Sequence, residues 1–190
     1  MSNHNPLATE ITAAGLVGVI TSIQQTLKDS YFSKVFHRAY LFEERDGEKP
    51  VTVPKCWEQG DEWISVLPND AVRSQIFFLP VGDEVIVGDY EANVEPQFTS
   101  EIALIFWCDV RYLPGNTKTS YNPSLATVKK DLLTILNSHD GVTKVTELID
   151  KSAGDIFKGI DINDAKTHYT MLPFAGLRIN FEVSYNYRLC

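Results

Sequence analysis

Gly176-Leu177-Arg178-Ile179-Asn180-Phe181-Glu182-Val183-Ser184-Tyr185-Asn186-Tyr187-Arg188-Leu189 decides the fold class. Every odd position from Leu177 to Leu189 is apolar or aromatic, and every even position from Gly176 is glycine, polar or charged. A period of two held without a slip describes a β-strand with one buried and one wet face. At about 3.3 Å per residue the run extends for about 40 Å, two to three times a common strand. A strand of that length anchors a sheet or reaches beyond its own subunit. Only the middle, Ile179 to Val183, needs burial against helices. Tyr185, Tyr187 and Leu189 carry the apolar face past the cover this chain is expected to supply.

Glu101–Tyr112 is the natural partner of this strand. Ile102, Leu104, Phe106, Cys108, Val110 and Tyr112 share one face, while the other is charged at both ends and apolar in the middle. Two helices supply the cover. Residues 7–29 place Leu16, Ile20, Ile23 and Leu27 on one stripe. Residues 123–138 place Leu125, Val128, Leu132 and Ile135 on another, with Asn122-Pro123 as start signal and Asp140-Gly141 as stop. Val35–Phe42 and Val51–Trp57 read as hairpin arms around a charged tip at Asp46-Gly47, with Trp63–Leu67 as a shorter strand. Gln75–Leu79 and Glu84–Val87 read as a second hairpin, and 88–98 as an exposed loop. Val142–Ile149 is a further strand, 150–166 an irregular or single-turn segment, and Tyr169–Leu172 a short entry into the sheet. The expected fold is α+β: a mainly antiparallel twisted sheet, two helices on one face, and long hairpins leaving the core. Residues 1–190 form one such domain, with an extended insert around 54–98.

Composition narrows the function. The chain carries 25 acidic and 17 basic residues, a net charge of −8, with no basic stripe to displace counterions from nucleic acid. It should repel phosphate on average, which suits a wall that DNA slides past. No apolar run approaches the roughly 18 residues of a membrane helix, and no secretory signal is readable at the start. Cys56, Cys108 and Cys190 are far apart and odd in number, which points to a reducing compartment rather than a disulfide framework.

Catalytic and metal motifs are missing. Lys118-Thr119 lacks the glycines of a phosphate loop, since Thr117 and Tyr112 stand at those positions. Asp161-Ile162-Asn163-Asp164 opens like a calcium loop but continues with Ala165 and Lys166. His4, His37, His139 and His168 are isolated, and structural roles are expected for His37 and His139. Cys108 reads as a small buried hydrophobe. Asp61-Glu62 and Asp83-Glu84 sit beside turns, where solvation accounts for them. No catalytic residue, cofactor or metal is expected.

This order of elements resembles the tail terminator and tail-completion proteins of tailed bacteriophages, and more widely the small ring-forming proteins of phage necks and tails. The likeness rests on the helix Leu16–Leu27, the charged hairpin at Asp46-Gly47, the capped helix from Asn122-Pro123, and the ending Gly176 to Val183 followed by Tyr185. It implies a non-enzymatic virion protein made in the bacterial host cytoplasm. Such a protein forms a hexameric or dodecameric ring at the head–tail junction (neck) or in the tail, joins portal or connector to tail proteins, and passes DNA without specific binding. Glu44, Arg45 and Asp46, then Glu91, Asn93 and Glu95, then Tyr185, Tyr187 and Leu189 are the expected ring contacts. The alternative is a small-ligand-binding α+β domain with an aromatic-lined pocket under Trp63 and Trp107, and an enzyme using scattered carboxylates comes third.

Overall fold

The computed structural model describes residues 15–28, 32, 34–46, 49–58, 62–87, 96–113, 115–116, 125–162 and 167–186. Helix α1 (Gly15–Lys28) is followed by strands β1 (Lys34–Asp46), β2 (Lys49–Glu58), β3 (Glu62–Ser65), β4 (Ser74–Pro80), β5 (Val85–Val87) and β6 (Gln97–Asp109). Helix α2 (Ala126–Ser138), strand β7 (Val142–Ile149), the single turn α3 (Ala153–Ile156) and strand β8 (Phe174–Asn186) complete the order. The sheet runs β3-β2-β1-β4-β6-β8-β7, with β5 on β6. Every pairing is antiparallel except that of β1 with β4. The fold is α+β, as the alternation of period-two and helical stripes requires.

β6 and β8 form the spine, paired from Gln97–Asn186 to Asp109–Phe174. On one face, Leu104, Phe106, Ile179 and Phe181 are wholly buried against Ile20, Ile23 and Leu27 of α1 and Leu132 and Leu136 of α2. Each such side chain contributes about 1.5–3 kcal/mol by leaving water. Gln24 is the polar exception on α1, and its Nε2 donates to the Val35 carbonyl at 2.8 Å, fastening helix to sheet. The opposite face holds a second core, where Phe77, Ile105 and Trp107 meet Val53 and Cys56 of β2, Ile156 of α3, and Phe157, Ile160 and Tyr169. Trp107 donates Nε1–H to the Tyr169 carbonyl at 2.9 Å and stacks on Phe174.

Several boundaries differ from the sequence reading. Glu43 to Asp46, expected at a solvated tip, continue β1 and pair with β2 out to Asp46–Lys49. The ladder satisfies their backbone while the side chains of Glu43, Glu44 and Arg45 stand exposed. β4 and β5 do not form a hairpin; both run antiparallel to β6, in line along one edge of it. β6 begins at Gln97 inside the expected loop and ends at Asp109, whose Oδ1 accepts from the Arg111 N–H and starts a 3-10 turn at Val110–Tyr112. Residues 167–170 form a 3-10 turn rather than a strand. β8 starts at Phe174 instead of Gly176. Residues 54–98, expected as an insert, include β4, which lies in the middle of the sheet. The Asn122-Pro123 cap falls outside the described residues, and α2 is described from Ala126.

Candidate functional site

Three surface features have the chemistry of contact sites. The first is the hairpin of β1 and β2. Beyond Arg38–Phe78 the ladder to β4 stops, and β1 continues paired with β2 alone. Glu44 and Arg45 stand exposed near the tip, Glu44 ion-paired with Lys55 across the strands. Asp46 closes the ladder opposite Lys49. At the root of the hairpin Trp63 of β3 sits at the centre of an aromatic ridge, its ring 4.9 Å from Phe42, 5.1 Å from Trp57 and 5.4 Å from Tyr40. Tyr40, Trp57 and Trp63 are each more than 40% exposed, and Arg38 and Lys55 lie over the rings of Tyr40 and Phe42. Large aromatics left in water beside cations form the kind of patch that partner proteins cover.

The second feature is β5. Val85, Ile86 and Val87 are 58%, 56% and 44% exposed, and among the described residues the strand pairs only with β6. An apolar strand with one unpaired edge is a template for another strand.

The third is a cleft of about 780 Å³ on the sheet face opposite α1 and α2. It opens where β1 diverges from β4. Leu41, Leu79, Pro80 and Val81 make one wall, the end of β7 and the α3 turn make the other, and Arg178, Asn180 and Glu101 contribute from β8 and β6. Arg178 is only 4% exposed. Its Nε donates to Asn180 Oδ1 at 2.8 Å and its Nη1 to the Lys158 carbonyl at 3.0 Å, while Asn180 Nδ2 donates to Glu147 Oε2 at 3.0 Å. Burial pulls the guanidinium below its ordinary pKa, and the charges of Glu147 and Glu101 pull it back up. Sequence reasoning placed Arg178 on the wet side of β8 and missed this role. The alternation of β8 carried no signal for it, since Arg178 stands at an even position like Asn180 and Glu182.

The expected interface residues therefore divide. Glu44 and Arg45 are exposed near the hairpin tip. Glu91, Asn93, Glu95, Tyr187 and Leu189 lie outside the described residues. Tyr185 corrects the expectation of an uncovered apolar extension: it is 7% exposed and stacked on Phe98 at 6.1 Å. The cover comes from the early start of β6, which sets Phe98 directly opposite Tyr185. No aromatic residue lines this cleft, so it is not the aromatic-lined pocket expected under Trp63 and Trp107. Trp107 is buried in the second core and Trp63 belongs to the exposed ridge.

His37, His139 and Cys108 are held by contacts within the chain. His37 Nε2 lies 3.0 Å from Thr21 Oγ1 on α1, and burial holds its pKa below the ordinary value. His139 Nδ1 accepts from the Gly141 N–H at 3.1 Å, and its Nε2 lies 2.9 Å from Ser22 Oγ. Burial pushes the Cys108 thiol up to about 12. Among the described residues no group of His, Cys, Asp and Glu is arranged to hold a metal ion, and no helix is long and apolar enough to cross a membrane. No family model matches the chain, and no curated protein matches its sequence.

Proposed function

We propose that this chain is a structural subunit of a tailed-bacteriophage virion. It assembles as a homo-oligomeric ring, hexameric or dodecameric, at the head–tail junction or in the tail, and joins portal or connector to tail proteins. The observation that carries the reading is the exposed aromatic ridge of Tyr40, Phe42, Trp57 and Trp63 at the root of a projecting hairpin. A chain able to bury Phe and Trp side chains in two cores leaves Tyr40, Trp57 and Trp63 in water, with Phe42 half-buried beside them, where a partner covers them. The apolar edge of β5 supplies a second surface suited to strand addition. The resemblance in element order to phage tail terminators favours a ring over other assemblies, and the net charge of −8 suits a conduit that DNA crosses without sticking. The subunit is made in the host cytoplasm, ends in the virion, and carries no catalytic group of its own.

Light scattering coupled to size exclusion, with negative-stain imaging of the peak, tests the assembly. The expected result is a closed ring, formed either by the chain alone at high concentration or on addition of portal and tail proteins of the same virion. A strict monomer under both conditions overturns the proposal.

A further inference from the structure

The Arg178 cleft has a chemistry that ring assembly does not call for. A guanidinium has five N–H groups. Two of them are used, on Asn180 Oδ1 and the Lys158 carbonyl, which leaves three without a protein acceptor among the described residues. Both acceptors are neutral, and Arg178 forms no ion pair among the described residues. Of the two carboxylates that act on it from a distance, Glu147 accepts from Asn180 Nδ2 and Glu101 from Thr146 Oγ1 at 3.3 Å, and neither forms an ion pair with the guanidinium. A buried arginine is costly unless its charge is compensated. Glu147 and Glu101 offset part of that cost, and the remaining N–H groups of Arg178, which lines the cleft while only 4% exposed, are left to what the cleft holds.

The lining restricts what fits. Lys151 and Lys158 join Arg178 as cations, against Glu101, Glu147 and Asp155. The remaining acid, Asp150, is ion-paired with Lys129. A dianionic phosphate meets too many carboxylates in such a site. A single carboxylate takes the planar fork of the guanidinium in two parallel hydrogen bonds. An adjacent ammonium or amide N–H is what Glu101 and Asp155 can accept from. Leu41, Leu79, Pro80 and Val81 offer apolar wall to a short aliphatic stem. The volume of about 780 Å³ lies in the range of small-molecule sites, about 300–1,000 Å³.

We propose that this cleft binds a carboxylate monoanion on a short aliphatic stem with an N–H donor beside it, seated on Arg178. Two sources carry that chemistry: a free aliphatic amino acid, and a glutamate side chain within a peptide segment. The inference goes beyond the ring reading and does not rest on it.

Saturation-transfer NMR on the full chain, which works for monomer or ring, tests it with two probes. L-norvaline presents a carboxylate only as part of the free amino acid, and N-acetyl-L-glutamate amide presents it only as a side chain between amides. At least one should saturate with a Kd of about 1 mM or tighter, and the tighter of the two identifies the source. Arg178→Lys should weaken binding about tenfold or more, because a point charge replaces the fork. Val81→Trp, at an exposed wall position, should abolish the signal by filling the cleft without touching the core. Failure of both probes to saturate at about ten times that concentration overturns the proposal. So does unchanged affinity in Val81→Trp, or tighter binding of inorganic phosphate than of either probe. A chain that binds norvaline but stays monomeric both alone and with portal and tail proteins refutes the ring and keeps the site, and a ring that binds neither probe does the reverse.

Discussion

His37 lies between β1 and α1, with Thr21 Oγ1 at 3.0 Å and the cation Arg38 next to it in the chain. Burial is the main cause of its lowered pKa, the Arg38 charge adds to it, and a hydrogen bond to the Val17 backbone works against it. A histidine with a folded pKa below 6.5 is favoured neutral in the native state, so the unfolded chain binds the extra proton. Its contribution is complete above pH 6.5 and is lost as pH falls through the folded value. Thermal melts should therefore show Tm declining as pH drops below 6.5, and His37→Gln, which keeps a polar partner for Thr21, should flatten the decline. A slope unchanged by that substitution places the titration elsewhere, with His139, whose pKa is lowered by burial too, as the next group to replace. Cys108, with its thiol raised to about 12, gives a second expectation at this scale. It should resist alkylation at pH 8 in the native state and react on unfolding, read by peptide mass spectrometry. The burial of Cys108 was legible because its place on an apolar strand face carries that information. The role of Arg178 was not, because its burial depends on β7 and the α3 turn, which no local pattern of β8 reveals.

The elements show what periodicity can and cannot carry. The two-residue period of β8 and the stripes of α1 and α2 are local, and they marked the strand and the helical face, with the matching alternation of β6 pointing to its partner. Pairing between distant strands is not local. Gln75–Leu79 and Glu84–Val87 have hairpin-like spacing around Pro80-Val81-Gly82-Asp83, yet β6 is long enough to take both on one edge, and its ladder outcompetes the hairpin. Gly176 shows how closely that spine is packed: a Cβ added there would stand 2.9 Å from the Phe106 carbonyl oxygen and 3.6 Å from Ile156 Cγ2. The backbone atom cannot swing aside as a side-chain end would. Gly176→Ala should cost about 1–3 kcal/mol of stability, measured by urea unfolding. A neutral result means that β6 and β8 separate more easily than their thirteen-residue register suggests. β5 makes the opposite case. Ile86 is 56% exposed, so Ile86→Lys should leave stability within about 0.5 kcal/mol of the parent. It should nevertheless reduce association if the edge accepts a strand, because a lysine there blocks edge pairing.

For the whole molecule, the central sheet has one face under two helices and the other under a second core, and among the described residues the hairpin root and β5 are two places where apolar side chains stand grouped in water. The sequence reading put the excess at the end of β8, where Phe98 covers Tyr185 instead. It passed over the ridge because Tyr40, Phe42, Trp57 and Trp63 come from three strands and meet only once β1, β2 and β3 are in register. The pair Trp57–Trp63 sits directly opposite in that register and makes the decisive test. Both rings are exposed, so Trp57→Ser with Trp63→Ser removes little buried area and should leave a folded chain by circular dichroism. Interface tryptophans are the side chains on which association most often turns, at about 2 kcal/mol or more each. Sedimentation of the double variant should then show the assembly constant weakened by about two orders of magnitude or more, with subunits appearing at concentrations where the parent is fully assembled. Assembly at parental strength by a folded double variant would remove the ridge from the interface and leave β5 to account for the contact.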